Sequence, residues 1–307
     1  MMKKVLILSA LLVALSLPAF AWQVNWTTGF EGSAYSPGAL EGQNGWITPN
    51  GAYADTTCDV VTSADSGAQI RSGARSAMQL VSTTLYSSNG RDMRVANPEG
   101  IGYSAGWAKF WVYEPGTAGA GAGAPNFRVG VVGDGQGISE PNNPYSGGIA
   151  NSSFTANIQS TNAYWRAQWA SDVKLVDGTA TASTAGYKWT QLKAAPRKNT
   201  GWSYVKLDWG FDMTTLDGYC EWRINSTSAN IRVDFNGRPS TWIGRWNATT
   251  PITGLFIGDA TVKVQTAGFQ GYVDDIEFHG NVVPEPTSLL ALGTGLIGLV
   301  GLIRRKR

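Results

Sequence analysis

From about residue 105 onward the chain is written in a period of two, and no stretch of it before the C-terminal tail repeats at the 3.6 residues of a helix. Residues 107–113 set Trp107, Lys109, Trp111 and Tyr113 on one face and Ala108, Phe110 and Val112 on the other. Residues 164–169 gather Trp165, Ala167 and Trp169 opposite Tyr164, Arg166 and Gln168. Residues 203–211 do the same with Val205, Leu207, Trp209 and Phe211 against Tyr204, Lys206 and Asp208. Shorter runs at 127–132, 219–224, 231–235, 254–257 and 271–278 complete the set. Such alternation is the pleat of a β-strand, whose successive side chains leave by opposite faces. Between the runs lie stretches rich in Gly, Asn and Pro, notably 116–123 and 133–148, which read as surface loops. Strands without helices can bury an apolar face only against another sheet, so the pattern predicts an all-β chain folded as a single β-sandwich. A jelly roll suits its size.

The two ends follow different rules. Lys3 and Lys4 precede an apolar run over 5–17, and Pro18 leads into Ala19-Phe20-Ala21, the small-residue site of a secretory signal peptide spanning 1–21. At the other end, Pro284-Glu285-Pro286 is followed by an uncharged segment, 287–303, and then by Arg304, Arg305, Lys306 and Arg307. A transmembrane helix over that segment would be about 25 Å long, enough for a thin bilayer core. The basic cluster would keep the C-terminus cytoplasmic and everything upstream outside.

This order of parts resembles the PEP-CTERM sorting signal of Gram-negative bacteria. The resemblance implies a tail, 281–307, in which an exosortase-type enzyme recognises Pro284, Glu285 and Pro286. It also implies an exported protein, held first as an inner-membrane-anchored precursor and then passed to the cell surface, outer membrane or extracellular matrix.

Composition narrows what the region between can do. Of 24 Lys and Arg, six lie in the two ends, and of 22 Asp and Glu one does, which leaves 18 against 21 in the mature part. A slightly acidic domain without a basic stripe is not a nucleic-acid binder. The single histidine, His279, excludes metal sites built on several histidines. Two cysteines, Cys58 and Cys220, would be exported together; a disulfide between them would close a long loop, and two unbridged thiols are the alternative.

Several segments in order resemble the concanavalin-like (LamG-like) jelly rolls: Gly29-Phe30-Glu31, Gln43-Asn44-Gly45-Trp46, residues 72–80, residues 202–209 with 219–224, and Tyr272-Val273-Asp274-Asp275-Ile276-Glu277-Phe278. The resemblance extends over nearly all of a domain placed at 22–280. It implies that first and last strands lie side by side, and that Glu31 and Asp274, with Asp275 as the alternate, hold a structural Ca²⁺, a hard ion that takes oxygen ligands.

Aromatic rings on a strand face suit the apolar faces of sugars. Trp107, Trp111 and Tyr113 are one candidate set for polysaccharide, and Trp165 and Trp169 another; core packing is the competing role for each. Glycan hydrolysis needs two carboxylates flanking one bond. The Glu-x-Asp-x-x-Glu spacing of retaining jelly-roll enzymes is absent. The expectation is therefore a non-catalytic, polysaccharide-binding surface or matrix protein. A structural or adhesive protein without glycan specificity is the first alternative, and a glycan-acting hydrolase or lyase the second.

Overall fold

A computed structural model describes residues 23–47, 57–80, 92–96, 103–114, 126–133, 153–159, 163–176, 179–198, 200–211, 218–235, 252–258 and 270–281. The signal peptide, Pro284, Glu285, Pro286, the 287–303 segment and the cluster from Arg304 to Arg307 lie outside them. Among the described residues no helix is long and apolar enough to cross a membrane.

The described residues form two antiparallel sheets packed face to face as a jelly-roll sandwich. The first sheet contains β1 (Gln23–Thr28), β2 (Gly38–Ala39), β4 (Thr57–Thr62), β5 (Arg75–Leu80), β7 (Ala105–Glu114), β12 (Gly201–Phe211), β13 (Gly218–Ile224), β14 (Ile231–Phe235) and β16 (Gln270–Asn281). Its order is β14-β13-β12-β7-β16-β5-β4-β2, with β1 also on β16. The second contains β3 (Trp46–Ile47), β6 (Asp92–Ala96), β8 (Asn126–Gly133), β9 (Ser153–Gln159), β10 (Tyr164–Val176), β11 (Thr179–Pro196) and β15 (Ile252–Gly258), in the order β11-β10-β9-β8-β15-β6-β3. As expected, the first and last strands are neighbours: β1 pairs with β16 from Gln23 opposite Asn281 to Thr28 opposite Ile276.

Alternation decides what fills the space between the sheets. Ala108, Phe110 and Val112 of β7, Val205, Leu207 and Trp209 of β12, and Cys220, Trp222 and Ile224 of β13 point inward from the first sheet and are buried. Phe127, Val129 and Val131 of β8, Phe154, Ala156 and Ile158 of β9, and Trp165, Ala167 and Trp169 of β10 meet them from the second. Each buried indole carries one N–H that must find an acceptor. Trp222 donates to the Thr155 carbonyl at 2.9 Å, and Trp209 to the Tyr103 carbonyl at 3.0 Å. Trp165 donates to Glu114 Oε1 at 2.9 Å, and Trp46 to the Tyr35 hydroxyl at 3.1 Å. The Trp222 and Trp165 bonds cross from one sheet to the other, so aromatic filling also sets how the sheets register.

Glu114 ends β7 as a fully buried carboxylate. Besides Trp165 it accepts from Ser203 Oγ and from the Lys198 N–H at 2.9 Å, and Arg197 Nε lies 3.5 Å from its Oε2. Burial lowers the Arg197 pKa, and the Glu114 charge opposes that shift. Removing one partner of such a buried pair leaves an uncompensated charge and costs about 3–5 kcal/mol, which makes this network a fixed bolt between the sheets.

Two expectations are corrected here. Cys58 and Cys220 are both buried and are not joined by a disulfide. They sit on β4 and β13, five strand spacings apart in the same sheet, roughly 24 Å at about 4.8 Å each. A disulfide needs Cα atoms within about 7 Å. Burial also pushes the Cys220 thiol well up, away from the reactive thiolate. Trp165 and Trp169, offered as sugar platforms, are fully buried in the inter-sheet core. Over 165–169 their face of β10 is apolar, and the core takes it.

Candidate functional site

Since β16, β7, β12, β13 and β14 pair in register, their outward residues line up as rungs across the first sheet. Tyr272, Tyr113 and Trp202 form one rung, and Asp274, Trp111 and Tyr204 the next. Glu277, Lys109, Lys206 and Arg223 form a third; His279, Trp107, Asp208, Glu221 and Arg232 form a fourth. Trp107, Trp111 and Tyr113 therefore stand together on the solvent face, half-buried, where Lys109 between them remains wet.

The rings are braced against one another rather than left as free side chains. Trp107 stacks flat on His279, with centroids 5.3 Å apart and planes 3° from parallel. Tyr113 meets Trp202 edge-on at 5.5 Å and Tyr272 at 5.9 Å, and Trp111 meets Tyr204 edge-on at 5.6 Å. Cations cover two of the indole faces: the Arg71 guanidinium lies 3.8 Å from the Trp111 centroid and Lys206 Nζ 5.0 Å from that of Trp107.

Beside Trp111 the face sinks into a cavity of about 350 Å³, lined among others by Thr28, Gly29, Arg71, Lys109, Tyr204 and Glu277. That volume suits a small ligand or one or two sugar units of a longer chain. Its charges come in pairs, Arg71 with Asp275 and Lys109 with Glu277. Further across the sheet, Lys206 Nζ lies 2.8 Å from Asp208, and Arg223 and Arg232 bond to Glu221 at 2.8 and 2.9 Å. Burial alone would raise the Glu221 pKa, but the two guanidiniums bring it below the usual carboxylate range. Paired charges of both signs offer donors and acceptors to hydroxyl groups without a strong net field.

The cavity wall is set by a bulge in β16. Asp274 lies opposite Trp111 and Glu277 opposite Lys109, so β16 spends three residues where β7 spends two. Asp275, at the bulge, adopts φ 44°, a left-handed conformation that Asp tolerates better than most residues. Asp275 accepts from Ser72 Oγ at 2.7 Å and pairs with Arg71. Asp274 is buried and accepts the N–H groups of Arg71 at 3.0 Å, Ser72 at 3.2 Å and Asp275 at 2.8 Å. Glu31 Oε1 accepts those of Ala74 and Arg75, each at 2.6 Å. Asp274 and Glu31 thus hold the 71–75 segment by its main chain, while Asp275 holds the Ser72 and Arg71 side chains and so keeps Arg71 over Trp111.

Glu31, Asp274 and Asp275, the calcium candidates, do come together. Around Gly29, Asp275 Oδ1, Asp274 Oδ1 and Glu31 Cγ lie 3.3, 3.6 and 3.7 Å from the position a Cβ would take. With Asp275 committed to Arg71 and Ser72, a cation would draw on Glu31 and Asp274, whose acceptor capacity the N–H bonds do not exhaust. Among the described residues no three His, Cys, Asp or Glu side chains form a metal-ligand group, so main-chain carbonyls would have to complete the shell.

Alternation in 203–211 already set Tyr204 on the face opposite the core residues. Arg71 left no such signal, because it arrives from a loop about 200 residues away in sequence from the strand it joins.

Residues 282–307 match the PEP-CTERM protein-sorting motif. The chain carries a PEP-CTERM tail. That tail indicates an exported, exosortase-processed protein. No curated protein sequence matches the chain. Among solved structures it is similar to the endo-β-1,4-glucuronan lyase of Trichoderma reesei, at 9% identity over 84% of this chain and 95% of that one, with a TM-score of 0.44. It is also similar to the catalytic domain of a Thermotoga petrophila endo-1,3-β-glucanase (11%, 86% and 99%, 0.45) and to lectin II of Ulex europaeus (10%, 84% and 99%, 0.41). These likenesses are of fold and do not extend to activity.

The clamp has a pH signature. Burial raises the Asp274 pKa to about 6, with the three N–H bonds opposing. The folded chain then binds this proton more tightly than the unfolded one, whose Asp titrates near 4. The resulting stabilisation is fully present below about pH 4 and is lost as pH rises through about 6. In chelator, wild type should lose on the order of 1–2 kcal/mol relative to Asp274→Asn between pH 4 and 7, measured by urea unfolding. A pH-independent difference would contradict the assignment.

Proposed function

We propose that this PEP-CTERM protein is a non-catalytic, polysaccharide-binding jelly roll of the cell surface or extracellular matrix, and that it binds through the outward face of the nine-stranded sheet. The observation that carries this reading is the placement of Trp107, Trp111 and Tyr113, with Trp202 and Tyr204, half-exposed beside the cavity rather than in the core. Aromatic rings kept partly in water and braced in place form a preorganised platform for pyranose faces. The Arg71–Asp275 and Lys109–Glu277 pairs at its edge are placed to bond the hydroxyls.

Retaining or inverting hydrolysis would need one carboxylic acid holding its proton and one free carboxylate beside the bond. Asp275 and Glu277 in the cavity are each tied to a cation, and Asp274 is sealed beneath the 71–75 segment. This favours binding over cleavage. Calcium, as part of the same proposal, would be held by Glu31 and Asp274 and would tie that segment down.

Calorimetric titration of residues 22–280 with the host cell's exopolysaccharide should give saturable heat. Trp111→Ala should weaken the affinity at least tenfold, equivalent to about 1.4 kcal/mol. Absence of heat, or the release of new reducing or unsaturated sugar ends during titration, would overturn the reading.

A further inference from the structure

We infer that the glycan taken by the Trp111 face is a neutral one, built of hexoses without carboxylate, sulfate or phosphate groups, and that Asp275 and Glu277 are the residues that turn acidic chains away. The inference rests on the reading of that face as glycan-binding and names the class of sugar it selects.

The cavity beside Trp111 holds two cations, and each is already matched. Arg71 pairs with Asp275, and Lys109 pairs with Glu277. Arg71 is fixed a second time by lying on Trp111, 3.8 Å from the ring centroid. A carboxylate or sulfate drawn to either cation would have to share it with the carboxylate already there. Its attraction to the cation is then offset by repulsion from Asp275 or Glu277 at a comparable distance. Close by, Asp274 adds a buried carboxylate held by main-chain N–H groups, that of Arg71 among them.

The balance extends over the rest of the face. Lys206 pairs with Asp208, Arg223 with Asp208 and Glu221, and Arg232 with Glu221 and Asp234. With Arg71 and Lys109, five cations thus stand against five carboxylates, interleaved so that a chain crossing the sheet meets no stretch of one sign. Attraction of a polyanion draws on a surface of uncompensated positive charge, and pairing of this kind cancels it.

Tyr204 reports the sign of the field inside the cavity. Burial raises the pKa of its phenol, and the charges of Asp208 and Glu277 raise it further, with Arg223 opposing. Negative charge is thus disfavoured on the cavity wall itself, next to Trp111. A sugar hydroxyl meets no such penalty. It can donate to the carboxylate and accept from the cation of one pair, because a guanidinium or ammonium has more N–H donors than a single carboxylate engages. Thr27, Thr28 and Tyr204, which also line the cavity, bring hydroxyls of their own.

The test uses the mature chain and matched oligomers of equal length and linkage: glucose with glucuronate, mannose with mannuronate, galactose with galacturonate. Calorimetry at low and high salt gives the affinity of each. At least one neutral oligomer should bind with an affinity that salt leaves unchanged and Trp111→Ala weakens, while its uronate partner binds at least tenfold more weakly. Glu277→Gln removes a repelling charge and leaves Lys109 uncompensated. It should raise the ratio of uronate to neutral affinity at least tenfold and make uronate binding salt-sensitive. Asp275→Asn should do the same through Arg71, since Asn accepts the left-handed backbone that Asp275 holds at φ 44°. Wild-type binding of a uronate as tightly as its neutral partner, lost in Trp111→Ala, would overturn the neutral class and leave the glycan-binding reading standing. An unchanged ratio in both variants would overturn the role given to Asp275 and Glu277. Failure of all three neutral oligomers would also overturn the inference; the exopolysaccharide titration then decides separately whether the glycan-binding reading falls with it.

Discussion

β16 has to serve three partners. One edge pairs with β7 along nearly its whole length, while the other is shared by β5 near its start and β1 over its second half. The handover from β5 to β1 falls where β16 carries its extra residue, and the ladder cannot continue straight through it. Asp275 absorbs the change by turning to φ 44°, and Ile276 drops back into the core. At that point Asp274 closes on the main chain of Arg71 and Ser72, and Asp275 on their side chains. The position of Arg71, the wall of the cavity and the environment of Trp111 all follow from this one irregularity.

The sandwich beneath provides the stiffness that such a surface needs. Indoles span the gap between sheets, with their N–H groups spent on Thr155, Tyr103 and Glu114. The buried Glu114–Arg197 network locks one end of β7, the strand that presents Trp107, Trp111 and Tyr113 outward. A binding face built on paired strands holds its rings in place before a ligand arrives, so little ordering cost is left for association.

Much of this was legible from alternation alone. The two faces of β7, β10 and β12 are those the residue pattern predicts, and the pattern also contains the clue that sorts them. Lys109 in the middle of the Trp107–Trp111–Tyr113 face makes that face costly to bury, whereas the Trp165–Ala167–Trp169 face holds nothing polar except two indole N–H groups, of which Glu114 satisfies that of Trp165. What could not be read were long-range meetings. β11 is rich in Thr and Ala and lacks an apolar alternation, yet it pairs along most of β10. The distance between Cys58 and Cys220 depends on strand order, which no local pattern encodes. Arg71 likewise meets Trp111 and Asp275 only once distant segments are side by side. The tail was legible for a different reason: Pro284-Glu285-Pro286, an apolar segment and a basic end form a linear signal that needs no fold.

The central claim, that glycan meets the outward face of the nine-stranded sheet, is tested most directly by the indole N–H signals in the ¹⁵N-correlated NMR spectrum of the mature domain, which contains all 13 tryptophans. On addition of fragments of the host exopolysaccharide, the Trp107 and Trp111 signals should shift and saturate together, while those of the buried Trp165, Trp169, Trp209 and Trp222 stay in place. Saturable binding that leaves Trp107 and Trp111 unmoved would contradict the account and place the glycan elsewhere on the molecule.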